Sequence, residues 1–266
     1  MSDENQTVLA RREGGVLHLT LNRPQARNAM SLAMVDALLA ALAVAEADGA
    51  TRVVVLRGAG GHFCAGADLK DMAAARTRPT EGGDPLAHVN SRFGWLCAAF
   101  ARTPLAVVAV VEGTVMGGGF GLACAADVTL AHVSASFRLP ETSLGLVPAQ
   151  IAPYLVERLG FGEAKRLAVT GGRLDARTAL MLRLVHDLAE DDAALTAALA
   201  RVLGEIMACA PGAVAATKRL IGQARLAPPE SLIDEAAAVF SVNAQSAEGT
   251  EGTLAFLQKR KPYWAP

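Results

Sequence analysis

The run Val53-Val54-Val55-Leu56 and the longer Leu105-Ala106-Val107-Val108-Ala109-Val110-Val111 constrain this chain more than anything else in it. Both are rich in β-branched residues and neither alternates apolar with polar positions, so each predicts a strand buried on both faces. Strands of that kind need helices above and below them, which favours parallel pairing in an α/β layered domain. The intervening sequence supplies the helices. Ser31 reads as the N-cap of a helix that carries Leu32, Val35, Leu38, Leu39 and Leu42 on one face and stops at Asp48-Gly49. Val16–Leu21 alternates instead, with Leu17, Leu19 and Leu21 on one side, and predicts a half-buried strand closed by a turn at Asn22–Gln25. Val128–Leu130 reads as one more short strand.

Past Ala149 the character changes to helices, expected over Ile151–Leu159, Glu163–Thr170, Ala176–Leu184, Ala193–Met207, Ala213–Arg225 and Pro229–Asn243, with one short strand near Val185-His186. A short helix around Leu69–Ala75 leads into Arg76–Pro85, whose Pro, Gly and charge predict a surface loop. The expected division is residues 1–200 as an α/β core and residues 201–266 as a helical region. With 52% apolar residues in 266, the chain has the material for a large core. Its 25 Lys+Arg against 26 Asp+Glu provide no basic stripe for nucleic acid. Leu105–Met116, broken by Glu112 and Gly113, is too short to span a bilayer. The opening MSDENQTVLARRE is polar and acidic, unlike a signal peptide, so a cytoplasmic protein is expected, with no membrane partner. Cys64, Cys97, Cys124 and Cys209 lack CxxC spacing, and the five histidines show no ligand spacing, so neither a disulfide framework nor a metal site is expected.

Two places combine glycines and small residues where strand gives way to helix: Gly58–Leu69, with Cys64-Ala65-Gly66-Ala67-Asp68, and Glu112–Ala123, with Met116-Gly117-Gly118-Gly119-Phe120-Gly121. Small residues let a ligand approach the backbone, and a helix start offers unpaired N–H groups, so two such places can jointly hold a developing negative charge. Tight turns and close helix packing would use the same glycines. Neither place has the spacing of a dinucleotide-binding fingerprint or a Walker A loop. Among the acids, Glu141 lies in the constrained stretch Phe137-Arg138-Leu139-Pro140-Glu141-Thr142-Ser143-Leu144-Gly145-Leu146. Apolar neighbours would raise its proton affinity, which suits a group that takes and gives a proton; a solvated loop glutamate is the other reading. Asp127 reads as a structural cap. No GxSxG elbow is present.

Together these pieces resemble the crotonase, or enoyl-CoA hydratase/isomerase, superfamily. The resemblance runs through Leu19–Pro24 with Asn28-Ala29, Phe63–Leu69, Met116–Gly119, Leu139–Glu141 with Leu144–Pro148, and Phe256–Pro262, in order over almost the whole chain. It implies a spiral of ββα units followed by a helical C-terminal trimerisation region, assembled as trimers or as dimers of trimers. It also implies an oxyanion hole from the N–H groups of Ala67 and Gly118, with Glu141 as the acid/base. Ala65, Asp68 and Leu69 would lie along the bound coenzyme A, with Arg27, Phe256 and Lys259 toward its nucleotide end. For Lys259-Arg260-Lys261 a merely solvated basic terminus is the alternative. The acyl pocket would involve Met116, Phe120, Gly121, Leu144 and Pro148. The substrate itself carries the coenzyme A, so no permanently bound cofactor is implied.

One position departs from the pattern. Hydratases of the two-glutamate type carry GGGxE, and the place of that Glu is taken by Gly121. The strings Gly119–Ala123 and Pro148–Pro153 resemble the branch that hydrates methylglutaconyl- and isohexenylglutaconyl-type thioesters, where Gly121 would leave room for a branched or carboxylated acyl chain. The function expected is water addition across the C2–C3 double bond of an acyl-CoA. A Δ3,Δ2-enoyl-CoA isomerase using the single Glu141 is the runner-up. A catalytically weak acyl-CoA-binding homologue is the reading from another class.

Overall fold

The structure, a computed structural model, describes residues 6–76 and 83–266. The acidic leader before residue 6 and most of the expected Arg76–Pro85 loop lie outside the described residues. The chain divides into two compact units, one running to Ala101 and resuming over Val107–Leu199, the other made of Arg102–Ala106 and Ala200–Pro266.

In chain order the first unit contains β1 (Val8–Glu13), β2 (Val16–Leu21), α1 (Leu32–Ala47), β3 (Val53–Gly58), α2 (Leu69–Arg76), α3 (Pro85–Arg102), β4 (Ala106–Val111), β5 (Thr114–Met116), α4 (Gly118–Ala125), β6 (Val128–His132), β7 (Ser136–Arg138), α5 (Ala152–Thr170), β8 (Arg173–Asp175), α6 (Ala176–Met181), β9 (Asp187–Ala189) and the start of α7 (Asp192–Met207). Six strands form one sheet in the order β1-β2-β3-β4-β6-β9, and β5-β7-β8 form a second. In the larger sheet β1 and β2 are antiparallel, with Val8 opposite Leu21, whereas β2 with β3, β4 with β6 and β6 with β9 are parallel. The two β-branched runs are its centre: every residue of β4 is buried, as is every residue of β3 except Arg57.

Ser31 does cap α1, its Oγ accepting from the Met34 N–H (3.2 Å). Met34, Val35, Leu38, Leu42 and Ala45 form the buried stripe, and Gly49 takes φ +65° just beyond the helix. Each large side chain buried there contributes about 1.5–3 kcal/mol. Asp127 is structural: its carboxylate accepts from the Val107 N–H (2.7 Å), and its own N–H donates to the Val107 carbonyl (3.0 Å).

Several elements differ from the sequence expectation. The edge strand β1 carries Arg11, Arg12 and Glu13 and has no alternation to betray it; charge on an edge discourages further pairing. Helix α3 was not expected, because Asn90, Ser91 and Gly94 between its apolar positions dilute their helical spacing, although Leu96, Cys97 and Phe100 are buried. The two helices expected over 151–170 meet at Gly160, where φ +75° and ψ 159° break the helix. The short strand lies at Asp187–Ala189 rather than at Val185-His186, and β8 adds a strand to the region expected to be otherwise helical.

The second unit is helical: the remainder of α7, then α8 (Pro211–Ala224), α9 (Ile233–Gln245) and α10 (Ala247–Leu257). The Lys218 ammonium donates to the Leu105 carbonyl (2.6 Å), and Glu248 accepts from the Gly212 and Ala213 N–H groups at the start of α8 (3.1 and 3.3 Å). Arg260 is engaged by Glu251 through two hydrogen bonds (2.6 and 2.7 Å). Phe240, Phe256 and Leu257 are exposed. No single helix among the described residues is long and apolar enough to cross a membrane.

Candidate active site

A strap of small residues is hung between two anchors. The Met30 N–H donates to the Gly66 carbonyl (2.7 Å) and the Asp68 N–H to the Met30 carbonyl (3.0 Å), on either side of Ala67. From the other side the Cys64 N–H donates to Thr114 and the Met116 N–H to the Cys64 carbonyl, each at 2.9 Å. Gly66 can follow this path because it adopts φ +92°. Fully buried Asn28 holds the neighbouring turn: its Oδ1 accepts from the Arg23 N–H (2.9 Å), and its Nδ2 donates to the carbonyls of Ala59 (2.9 Å) and His62 (2.7 Å). Among the described residues, the Ala67 N–H between these anchors donates to nothing in the protein.

The second donor stands at a helix start. Gly117 (φ +49°, ψ −118°) turns β5 into α4 and donates its own N–H to the Arg138 carbonyl (3.0 Å). The next N–H, of Gly118, belongs to the first turn of α4 and has no acceptor among the described residues. The two places touch through glycine: a Cβ on Gly66 would lie 3.1 Å from the Met116 carbonyl oxygen and 3.6 Å from the Gly118 nitrogen.

Glu141 follows Pro140 and opens a 3-10 turn over Glu141–Leu144, closed by Gly145 in the left-handed conformation. Its carboxylate comes back to the same point, since a Cβ on Gly117 would sit 2.8 Å from Glu141 Oε1. Oε2 is buried and, among the described residues, accepts no hydrogen bond. Burial pushes the Glu141 carboxyl above the usual carboxylate range. Ala67, Gly118 and Glu141 all line one cavity of about 390 Å³, whose other walls are mostly apolar: Met30, Val35, Phe93, Pro148 and Ile151 among them. Two unspent N–H groups and one carboxylate of raised proton affinity can stabilise an oxyanion and relay a proton beside it.

The remaining expected residues scatter. Arg27 and Ala65 are joined by the Ala65 N–H donating to the Arg27 carbonyl (2.9 Å), and Leu69 is exposed at the start of α2. The Asp68 carboxylate turns inward instead, pairing with Arg23 (2.7 Å) and accepting from the Lys70 N–H (2.9 Å). Burial alone would raise its proton affinity; those partners overcome it and hold it below the usual range. Asp68 is thus spent on the frame of the strap. Of the five acyl-pocket residues, only Pro148 lines the cavity. Phe120 is fully buried in the core with its ring edge-to-face on Phe137 (5.4 Å between centroids), and Leu144 is exposed. Met116 lies outside the lining, and its backbone N–H serves the second anchor of the strap. Gly121 leaves no open room, because Ile151 Cβ and Cγ2 occupy the place of its missing side chain. Phe256 and Lys259 belong to the second unit, where Phe256 is exposed and Lys259 adopts φ +53°.

Most of the lining residues had not been named for the site, among them Asn90 and Phe93 from α3, and Gln150 and Ile151 before α5. Helical spacing through Val89, Phe93, Leu96, Cys97 and Phe100 was the available signal for α3. Gln150 and Ile151 fall in the Pro148–Pro153 string that carries the branch resemblance, which assigned neither a place in the site.

This arrangement defines a crotonase-type site in a mixed α/β fold with a helical C-terminal region. A model of the enoyl-CoA hydratase/isomerase family matches residues 11–266, and the chain belongs to that family. It is 51% identical in sequence to Pseudomonas aeruginosa AtuE, whose solved structure superposes with a TM-score of 0.94 over 98% of this chain and 100% of that one. It is 32% identical to the 2,3-dehydroadipyl-CoA hydratase of Escherichia coli K12, covering 96% of this chain and 97% of the relative. It is also 32% identical to the 1,2-epoxyphenylacetyl-CoA isomerase of the same organism, again covering 96% and 97%. The family acts on CoA thioesters and includes both hydratases and isomerases.

Proposed function

We propose that this protein is a hydratase that adds water across the C2–C3 double bond of an acyl-CoA thioester. The observation that carries the reading is the Glu141 carboxylate, buried and with Oε2 unpartnered, in the same cavity wall as the unspent N–H groups of Ala67 and Gly118. The thioester oxygen accepts from both N–H groups, and the charge that builds on it as the enolate forms stays there; losing one such donor would cost about 2.7–4 kcal/mol. Glu141 takes a proton from water as the water oxygen bonds to C3, then delivers that proton to C2. One carboxylate thus suffices if it relays one proton, and its raised proton affinity suits both halves of the transfer. The coenzyme A arrives with the substrate, with Arg27, Ala65 and Leu69 beside its path and Phe256 and Lys259 as contacts at its nucleotide end. The exposed apolar side chains of the helical unit support assembly as a trimer or a dimer of trimers. The branched or glutaconyl-type acyl group rests on the Gly119–Ala123 and Pro148–Pro153 strings. Gly121 adds nothing to it, because Ile151 fills the space beside that glycine.

The same contact favours a second reading, Δ3,Δ2-isomerisation, which moves one proton between two carbons and needs no second carboxylate to hold water. Incubation with 2-enoyl-, 3-enoyl- and 3-methylglutaconyl-type CoA esters separates the two by product mass. The expected result is gain of one water, and Glu141→Gln lowers that turnover by about 10²–10⁴-fold while acyl-CoA still binds. A retention shift without a mass change makes the protein an isomerase. Undiminished turnover in Glu141→Gln removes Glu141 from the chemistry.

A further inference from the structure

One polar pair in the cavity takes no part in the proton relay. Asn90 on α3 and Gln150 before α5 both line it, and the Gln150 Nε2–H donates to Asn90 Oδ1 (2.7 Å). The Gln150 side chain is seated on Gly94, where a Cβ would collide with its Oε1 and Cδ. Two carboxamides own four N–H hydrogens. One is spent inside the pair, and among the described residues neither Asn90 Nδ2 nor the second hydrogen on Gln150 Nε2 has a protein acceptor. The surrounding wall, from Leu86, Val89, Phe93 and Ile151, is mostly apolar; Asp84, also in the lining, is exposed, and its Oδ1 accepts from the Leu86 (2.9 Å) and Ala87 (3.3 Å) N–H groups.

Asn90 is exposed and Gln150 half-buried, so an acyl chain must lie directly over the pair to strip water from those donors. A purely alkyl chain leaves them unpaired, which is unfavourable, whereas an oxygen acceptor on the chain restores the lost hydrogen bonds. Sites with donors placed in this way reject the analogue that lacks the acceptor. We propose that Asn90 and Gln150 are specificity-determining residues that select CoA thioesters whose acyl chain carries an oxygen acceptor, a carboxylate or a neutral carbonyl, beyond the reacting carbons. Phe93 fixes the distance: its ring lies against Gly118, 3.1 Å from where a Cβ there would be. Asn90 stands three residues earlier on α3, roughly 4.5 Å along the helix axis. The acceptor therefore belongs a few carbons beyond the thioester. This inference takes from the proposed function only that the cavity holds the acyl part of a CoA thioester.

The test uses three unreactive, saturated thioesters of matched shape, 5-methylhexanoyl-CoA, 5-oxohexanoyl-CoA and glutaryl-CoA, titrated into the full-length protein by calorimetry. At least one oxygen-bearing ligand should bind about tenfold or more tighter than the alkyl one, the size expected when hydrogen bonds are left unmade. Preference for glutaryl-CoA identifies a carboxylate as the natural acceptor, and preference for 5-oxohexanoyl-CoA identifies a neutral carbonyl. In Asn90→Leu/Gln150→Leu the preference should collapse to near unity. Asn90→Asp keeps the shape and removes donors, so it should weaken glutaryl-CoA more than 5-oxohexanoyl-CoA. Equal binding of all three to the wild type, or a preference that survives the double substitution, overturns the inference and leaves the acyl-CoA reading standing. Failure of every thioester to bind overturns both. None of the ligands has a double bond to hydrate, so the result does not depend on whether the enzyme adds water.

Discussion

Ile151 lies against Gly121 so closely that a Cβ on the glycine would run into Ile151 Cβ and Cγ2. The position at which two-glutamate hydratases carry a carboxylate is therefore occupied from outside, by an apolar side chain of a different segment that also lines the cavity. A single carboxylate is built into the packing of this site as well as into its sequence.

Gly121→Glu should consequently fail to restore a two-carboxylate site. Overpacking should lower stability by about 1–3 kcal/mol, with a further loss from burying an unpaired carboxylate. Urea unfolding would report it, and pairing the substitution with Ile151→Gly should recover part of the loss. An unchanged urea midpoint in the single variant would mean that Ile151 swings aside.

Gly117→Ala tests the turn that holds the two halves of the site together. Its backbone (φ +49°, ψ −118°) suits glycine, and the new methyl would lie 2.8 Å from Glu141 Oε1. Strain of about 1–3 kcal/mol is expected. Displacement of the carboxylate should lower kcat by about 100-fold, a larger effect than thermal unfolding would suggest. Steady-state kinetics beside a melting curve separates the two.

The raised proton affinity of Glu141 makes stability depend on pH in a definite direction. In the window above the usual Glu range and below its folded value, the folded protein holds a proton that the unfolded chain has released. Stability from this group therefore falls as pH rises through that window, and the penalty is constant above it. Glu141→Gln abolishes the term, so in paired urea titrations the variant should gain on the wild type as pH rises above the usual Glu range, about 4.3. A difference that does not change with pH would contradict the burial effect.

Asn28→Ala removes an acceptor and two donor contacts from a fully buried position and leaves the Ala59 and His62 carbonyls short of a partner. The expected loss is about 3 kcal/mol, read as a shift in urea midpoint. Asn28 also adopts φ +56°, which asparagine tolerates better than alanine, so a loss near zero would show that the turn is held by Arg23 and Asp68 without it.

The buried strands β3 and β4, the capped helix α1, and the glycine turns that flank α2 and α4 were legible because each depends on neighbours a few residues away. β1 and α3 were not read: β1 is an edge strand full of charge with no alternation, and the helical spacing of Val89, Phe93, Leu96, Cys97 and Phe100 in α3 is diluted by Asn90, Ser91 and Gly94. The acyl-pocket expectation also erred. Phe120 and Leu144 stand near the motifs in sequence, yet one is in the core and the other faces solvent.

By itself the sequence determined the family, the α/β class, and the two glycine-rich places with Glu141 as the residues in which chemistry would be sought. Local backbone geometry and residue type are enough for that. Only the tertiary structure decided that Ala67, Gly118 and Glu141 face one cavity, that Asp68 is spent on Arg23, that Ile151 closes the space beside Gly121, and that Asn90 reaches Gln150. Each of these joins segments separated by 23 to 74 positions in the chain. The close packing of strands and helices sets them, and no local pattern in the sequence encodes which distant side chain will fill a given space.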